Sequence, residues 1–189
     1  MKLLREVADV RRTMDLWRNM AVRAGLKGLH LVGVCSNAQW NPQEFGFDAS
    51  TIQSLPVPRP WVSKGRPLEW LRRKYHEKAN LPTIYRFEEA IPDLMPVRVD
   101  AFPSYPTLIH AWDNSPRSGS NAVVLRDSTP ELFRALLRRA IEVRADKPRD
   151  EQIIFVKAWN EWAEGNHLEP DLKDGKSYLE VIEQEVCDR

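Results

Sequence analysis

The fold is indicated most clearly by residues 152–165, which read QIIFVKAWNEWAEG. Residues 152–158 are mostly apolar and lack the alternation of a strand that faces water on one side. Such a run is typical of a strand that is covered on both faces, as in a parallel sheet. Residues 159–165 add acidic and aromatic side chains directly after that strand. The stretch therefore predicts a buried parallel strand with a polar loop at its carboxyl end.

On both sides of this stretch the pattern alternates strands with helices. Apolar residues at spacings of three and four predict helices, and short apolar runs predict strands. The predicted helices cover residues 3–24, 68–78, 130–143 and 178–186, and the predicted strands cover residues 28–34, 83–87 and 105–112. Residues 28–34 are expected to be buried on both faces, and residues 35–67 to form a long, packed loop. This order favours an α/β fold with a parallel sheet.

The composition limits the classes of partner. The chain has 189 residues, enough for one domain with a hydrophobic core. Its 28 basic and 27 acidic side chains nearly cancel, so neither nucleic acid nor an anionic membrane is favoured as a partner. The sequence contains no membrane span and no signal-like start. A cytoplasmic protein is therefore expected, with Cys35 and Cys187 as reduced thiols that match no metal-ligand spacing.

Polar side chains follow three of the predicted strands. Ser36 and Asn37 come after the first strand, Asp113 and Asn114 after a later one, and residues 160–164 after the last. In α/β folds with parallel strands, functional groups gather at the carboxyl ends of the strands. We therefore expect these clusters to form one shared site.

Glu161 and Glu164 are the candidate catalytic pair. If the chain turns into a helix there, both carboxylates fall on one face, with Cβ atoms roughly 5–6 Å apart. With Trp159 and Trp162 excluding water, one acid is expected to stay ionised while the other keeps its proton. Cleavage of a glycosidic bond needs such a pair. The alternative is an ordinary amphipathic turn, with the tryptophans inward and the glutamates in solvent.

The second candidate cluster is Asp113, Asn114 and Arg117. The first two could bind vicinal hydroxyls of a sugar, and Arg117 could pair with a carboxylate or fix the loop. The alternative is an Asx-turn, because Asn-Ser-Pro-Arg is favourable turn chemistry whatever the function.

The histidines add little to these candidates. His167, Glu169 and Asp171 match no metal motif, so no metal site is predicted. His30 and His110 fall within predicted strands, which favours satisfied core histidines. His76 is expected on a solvated helix face.

Four sequence blocks resemble one known family. Residues 153–170 include AWNEWAEG at 158–165 and LEP at 168–170, and these resemble the signature of the WbsX-type glycosyltransferase family, also described as a glycoside hydrolase family 99-like domain. WDNSPR at 112–117, TPE at 129–131 and FGFD at 45–48 resemble further family blocks in the expected order. The resemblance covers nearly the whole chain.

This resemblance implies a (β/α)8 barrel of TIM type and a role in bacterial polysaccharide metabolism, such as O-antigen (lipopolysaccharide) or capsule assembly. It implies that Glu161 is the base that removes the proton of the sugar's 2-hydroxyl. Glu164 would be the acid that protonates the leaving oxygen and then activates water. Substrate-binding roles fall to Trp159, Asn160, Trp162, Asp113, Asn114, Arg117 and His167. No metal or organic cofactor is implied.

The length implies that only part of a barrel is present. A whole barrel typically needs about 250 residues, so residues 1–189 are expected to form a single partial domain, the carboxyl-terminal half. A half barrel exposes strand edges and an apolar face, so self-association or pairing with the missing amino-terminal half is expected.

Three functions are compatible with this sequence. The first is an enzyme that acts on an oligosaccharide or polysaccharide, with hydrolysis and transfer both open. The second is an inactive glycan-binding or assembly subunit that keeps the shape of the site. The third is a truncated remnant.

Overall fold

A computed structural model describes residues 7–35, 41–53, 55, 75, 78–79, 81–95 and 102–187. The chain divides into two compact units. Unit 1 consists of Met1–Gln53 with Pro96–Pro106, and unit 2 of Ser54–Met95 with Thr107–Arg189.

The strands and helices of the described residues are numbered separately, each in chain order. The strands are β1 (Val32–Cys35), β2 (Ala49–Ile52), β3 (Thr83–Arg86), β4 (Ser104–Ile109), β5 (Trp112–Asp113), β6 (Val123–Arg126), β7 (Phe155–Lys157), β8 (Asn160–Glu161) and β9 (Asn166–His167). The helices are α1 (Val7–Arg23), α2 (Phe87–Leu94), α3 (Ser115–Ser118), α4 (Pro130–Arg144) and α5 (Ser177–Val186).

Unit 1 combines α1 with parallel strands. The predicted first helix is confirmed for the described residues, and it buries Met14 and Ala21. β1 is parallel to β2, and β2 is parallel to the first residues of β4. Asp48 joins helix and strand, because its carboxylate accepts hydrogen bonds from the Leu31 backbone N–H at 2.8 Å and from Arg18 at 2.9 Å.

The expectation that residues 28–34 form a strand buried on both faces is wrong in two respects. The strand begins only at Val32, and Val34 is 61% exposed. Among the described residues β1 pairs with β2 alone, so it is an edge strand of this part of the sheet.

The expectation of a continuous loop over residues 35–67 is also wrong, because β2 lies within it. β2 is buried along its whole length although it includes Ser50 and Thr51. The Thr51 hydroxyl donates a hydrogen bond to the Tyr105 carbonyl at 2.9 Å, which satisfies a polar group in the interior. Residues 36–40 and 56–67 of this segment lie outside the described residues.

The described part of unit 2 has three sets of paired strands, of which the pair β8 and β9 is described with the site below. The last residues of β4 are parallel to β7, from Thr107 opposite Phe155 to Ile109 opposite Lys157. β6 is parallel to β3 on one side and antiparallel to β5 on the other. The predicted strands at 83–87 and 152–158 are confirmed with shorter bounds. The strand predicted at 105–112 is confirmed as β4, which ends at Ile109, whereas Trp112 belongs to the separate strand β5. However, Phe155 is 38% exposed, so burial of β7 on both faces is wrong.

The two long helices of unit 2 are confirmed, and both contribute to its hydrophobic core. The Thr129 hydroxyl accepts a hydrogen bond from the Leu132 N–H at 3.3 Å, and Pro130 begins α4. The buried stripe of α4 consists of Phe133, Leu136, Leu137 and Ala140, and it packs in one cluster with Tyr178 and Val181 of α5. The predicted helix at 68–78 lies mainly outside the described residues, although Tyr75, Lys78 and Ala79 are helical. α2 and β6 were not predicted.

These parallel strands and packed helices confirm the predicted α/β class. Within the described ranges, no helix combines the length and apolar character that crossing a membrane requires.

Candidate active site

The acidic motif forms a short hairpin after β7. β8 and β9 pair antiparallel, and residues Trp162–Glu164 form a single 3-10 turn between them. Gly165 ends this turn at φ 55°, a left-handed conformation that glycine adopts most readily. The expected helical face for Glu161 and Glu164 is therefore wrong: the chain reverses direction instead of continuing as a helix.

The hairpin is fixed to β7 by a buried amide. Asn166 is fully buried, and its side-chain oxygen accepts a hydrogen bond from the Ala158 N–H at 3.1 Å. The Leu168 N–H donates to the backbone oxygens of Ala158 and Trp159 at 3.0 and 2.9 Å. These bonds hold the acidic motif in a defined position at the carboxyl end of β7.

Glu164 is a buried carboxylate held by two cations. It is only 4% exposed. Its Oε1 contacts the guanidinium of Arg117, and its Oε2 lies 3.7 Å from the Lys157 ammonium. A buried charge requires such partners, and they favour its ionised form. The alternative that placed both glutamates in solvent is therefore wrong for Glu164, whereas Glu161 in β8 is partly buried.

The two tryptophans of the motif face outward. Trp159 is 54% exposed and Trp162 is 51% exposed, so in these residues the expected exclusion of water does not occur. Trp162 stacks on His167 with ring centroids 3.6 Å apart and an interplanar angle of 11°. Its indole N–H donates a hydrogen bond to Glu169 Oε2 at 2.6 Å. The result is a fixed, flat aromatic surface beside the acids.

The second cluster contains an Asx-turn. Asp113 Oδ1 accepts a hydrogen bond from the Ser115 N–H, and Asn114 Oδ1 accepts one from the Val123 N–H, both at 2.9 Å. The first of these bonds spans two residues, as in an Asx-turn. An Asx-turn is thus present, but Asp113 forms it and not Asn114 of the predicted Asn-Ser-Pro-Arg turn, since the Asn114 side chain bonds nine residues further along the chain. Binding of sugar hydroxyls by these side chains stays a prediction.

Two of the three polar clusters meet. Arg117 begins in the Asp113 cluster and reaches Glu164. A Cβ added at Gly165 would lie 3.6 Å from the Asp113 Cβ, so the two loops are in contact range. The common site expected from the strand ends is thus present for these clusters. Ser36 and Asn37 lie outside the described residues.

A cleft with both polar and apolar lining residues adjoins these loops. Its volume is about 400 Å³. Its lining residues are Ala111, Trp112, Asp113, Leu125, Asp127, Ser128, Gly165 and Lys173. Asp127 has φ 60°, which is uncommon for a residue other than glycine, and it lies 3.5 Å from both Arg86 and Arg126. Carboxylates and an ammonium around one cleft suit a ligand that carries many hydroxyl groups.

His110 is a core histidine, as predicted. It is 2% exposed and its Nε2 lies 2.7 Å from the backbone oxygen of His167. Burial lowers the pKa of His110 to about 4, so the ring is neutral at pH 7. It occupies the bend after β4 rather than the strand itself. Through this contact with the His167 backbone, His110 supports the hairpin that carries the acidic motif.

His30 contradicts the core interpretation. It is exposed and precedes β1, and its Nε2 lies 2.9 Å from the Tyr105 hydroxyl. The cause is the late start of β1 at Val32. His76 lies outside the described residues.

No metal site is formed by the part of the chain that the structure describes. There, no group of three or more histidine, cysteine, aspartate or glutamate side chains is arranged to hold an ion. His167 Nε2 is 3.9 Å from Asp171, a distance of an ion pair and not of shared metal ligation. Cys35 and Cys187 form no disulfide bond.

Sequence reasoning missed several residues of the site, of which Lys157 is the most important. Lys157 ends β7, and its ammonium lies 4.4 Å from the centre of the Trp112 ring. Its signal in the sequence is a single charge at the end of an apolar run, directly before the acidic motif. Asp127, Ser128 and Lys173 of the cleft were missed because they carry no motif.

Curated relatives match this chain over most of its length. Proteins named WxcX from two strains of Xanthomonas campestris pv. campestris are each 28% identical over 174 residues, which is 92% of this chain. The match covers 24% of each relative, so the chain spans about a quarter of their length.

A solved structure agrees with the fold described above, and a family model matches nearly the whole chain. A glycoside hydrolase-like protein superposes with a TM-score of 0.51 at 15% identity, over 95% of this chain and 49% of that chain. This likeness shows the fold, an α/β chain that corresponds to about half of a TIM-type barrel protein. The model described as "Glycosyltransferase WbsX" matches residues 4–182. The chain belongs to the WbsX glycosyltransferase family.

Proposed function

We propose that this protein acts on glycosidic bonds of a bacterial polysaccharide, with Glu161 as the base and Glu164 as the acid. The observation that carries the proposal is the buried Glu164 carboxylate, which shares one hairpin with Glu161 at the carboxyl end of β7. Active sites of TIM-type barrels lie at that end of the strands. The names of the family and of the structural neighbour, a glycosyltransferase and a glycoside hydrolase-like protein, both refer to chemistry at the bonds between sugars.

The proposed reaction uses the two acids in sequence. Glu161 removes the proton of the sugar's 2-hydroxyl, and the resulting oxygen attacks the neighbouring anomeric carbon to give an anhydro-sugar. Glu164 protonates the leaving oxygen, then takes a proton from the incoming water or acceptor hydroxyl as it attacks the anomeric carbon. That attack breaks the bond from the anomeric carbon to the 2-oxygen, and Glu161 returns its proton to this oxygen. Hydrolysis and transfer differ only in that acceptor.

Glu164 must take up a proton before it can act as an acid. In the substrate-free protein it is paired with Arg117 and Lys157, which favour the carboxylate. Arg117 is 64% exposed, so its side chain has room to turn from Glu164 toward a bound glycan. We therefore expect substrate binding to loosen the Arg117 contact and so permit protonation.

The proposed substrate contacts surround the acids. The exposed rings of Trp159 and Trp162, with His167 behind the latter, offer flat surfaces for sugar rings. Asn160, Asp113 and Asn114 supply polar groups for hydroxyls. We propose O-antigen (lipopolysaccharide) or capsule oligosaccharides as the substrate class, with no cofactor required by this chemistry.

The test compares Glu161→Gln and Glu164→Gln with the wild type on defined capsule and O-antigen oligosaccharides. The chain is assayed alone and together with a polypeptide that supplies the remaining barrel strands. Loss of a general acid or base typically costs 10²–10⁴-fold in rate, so we expect losses of about that size. Glu180→Gln, which changes an exposed acid on α5, should keep full activity. Equal turnover in wild type and Glu164→Gln would refute the acid role.

A glycan-binding subunit without turnover is the second candidate. It is favoured by the limited coverage, since the chain corresponds to 49% of the solved barrel protein. In this case isothermal titration calorimetry detects oligosaccharide binding that Trp162→Ala abolishes, while no product forms in any of the assays above. Product formation that requires both glutamates excludes this candidate.

A further inference from the structure

Lys157 occupies a position that the proposed chemistry leaves unassigned. It is the last residue of β7, and its side chain is 29% exposed. Its ammonium lies 3.7 Å from Glu164 Oε2 and 4.4 Å from the centre of the Trp112 ring. An ammonium within about 6 Å of an indole face is attracted to it. Lys157 is therefore held between the ring on one side and the carboxylate on the other.

The charged groups that face Lys157 come from three neighbouring segments. They are Glu164 of the 3-10 turn, Glu161 of β8 and Arg117 of α3. Burial lowers the pKa of Lys157, the carboxylate of Glu161 raises it, and the guanidinium of Arg117 lowers it. Two acids and two cations thus form one electrostatic group, and a proton added to either acid changes the field at Lys157.

The two cations beside Glu164 differ in exposure. The Arg117 side chain is 64% exposed and that of Lys157 is 29% exposed. Solvent and salt weaken the interaction of an exposed cation more than that of an enclosed one. The backbone of Lys157 lies in a strand that is paired with β4, whereas the backbone of Arg117 lies in a single helical turn. Lys157 is therefore the more enclosed and more firmly placed of the two cations beside Glu164.

We propose that Lys157 is the positioning residue of the acidic pair: it fixes the carboxylate of Glu164 and sets the pH at which that carboxylate takes up a proton. The inference rests on the proposed function for its catalytic meaning. A purely structural ion pair would also offset the burial of Glu164. Any ion pair at this distance shifts the titration of its carboxyl, so the midpoint of Glu164 tests the contact, and Lys157→Arg, which keeps the charge, tests whether the charge at residue 157 sets that midpoint.

The test follows Glu164 by NMR in the intact chain with ¹³C-labelled glutamate, and Glu164→Gln assigns its carboxyl resonance. A neighbouring opposite charge lowers the midpoint of a carboxyl by about 1–3 units, so Lys157→Met should raise the midpoint of Glu164 by about one pH unit. Lys157→Arg should return it close to the wild-type value. Lys147→Met removes an exposed lysine that pairs with Asp146, and should leave the midpoint unchanged.

An unchanged midpoint in folded Lys157→Met overturns the proposal. If that variant does not fold, the wild-type chain decides: the Lys157 Cε resonance should shift at the Glu164 midpoint, and this step should vanish in Glu164→Gln. A Lys157 Cε resonance that does not shift at the Glu164 midpoint also overturns the proposal. No substrate is used, so this outcome is separate from the glycan assays, and either hypothesis can fail without the other.

Discussion

Two buried carboxylates of unit 2 are each held by two cations, yet only one belongs to the site. Glu164 lies at the carboxyl end of β7. Glu185 lies on α5, where Arg134 and Arg138 of α4 donate hydrogen bonds to it at 2.7–2.9 Å. Burial and charge pairing alone therefore do not identify a catalytic acid. Position at the strand ends, next to a second acid, distinguishes Glu164.

The ion pairs of Glu185 predict how the stability of the protein depends on pH. Hydrogen bonds from Arg138 and then Arg134 lower the pKa of Glu185 to about 2. A lowered folded-state pKa means that the stabilisation is present above the unfolded value of about 4.5 and is lost as the pH falls toward 2. We expect Glu185→Gln to lower the urea midpoint at pH 7, and the difference from wild type to vanish near pH 2.

The measurement is urea unfolding at pH 7, 4 and 2. Glu183→Gln, an exposed change on the same helix, serves as the control and should follow the wild-type curve. A difference between Glu185→Gln and wild type that is the same at all three pH values would contradict the ion-pair explanation.

At the scale of elements, local chemistry decided what could be predicted. α4 was predictable because Thr129, Pro130 and an apolar stripe agree on one helix. β2 was missed because Ser50 and Thr51 are polar and buried, which reverses the usual pattern. The meeting of Arg117 with Glu164 followed from the rule that polar groups gather at strand ends. The role of Lys157 did not, because contacts across the sheet leave no periodic signal.

The hairpin itself was missed because a single residue decides it. Spacing of Glu161 and Glu164 fits a helix, but Gly165 at φ 55° turns the chain back. We expect Gly165→Ala to destabilise unit 2 by about 1 kcal/mol, the cost of a left-handed conformation for an L-residue. The added Cβ has room, at 3.6 Å from Asp113, so the cost lies in the backbone. Thermal and urea unfolding give the measurement.

Gly165→Asn is the matched control, because asparagine tolerates the left-handed region better than alanine. Its loss of stability should be smaller than that of Gly165→Ala. Equal losses for both variants would show that side-chain contact, and not backbone conformation, governs the position.

At the scale of the molecule, the extent of the chain can be compared with that of its relatives. The family model spans residues 4–182, but the chain covers 24% of its curated relatives. That residues 1–189 form one partial barrel domain, pairing with an amino-terminal half, stays a prediction. Unit 1 presents apolar surface that such pairing would cover. On α1 the exposed side chains of Leu16, Trp17 and Met20 fall within about 100° of one another around the helix, and each is 49–57% exposed.

This surface predicts self-association when the chain is alone. Apolar patches of this kind on soluble proteins mark contact sites, because burying them removes apolar surface from water. At micromolar concentration we expect analytical ultracentrifugation to find species heavier than the 21.9 kDa monomer. Met20→Lys places a charge within the patch and should shift the distribution toward monomer. Val143→Lys adds the same charge on α4 and should not. A wild-type chain that sediments only as a monomer would contradict this prediction. When the chain is alone, a second copy is the partner available to cover the apolar surface of α1.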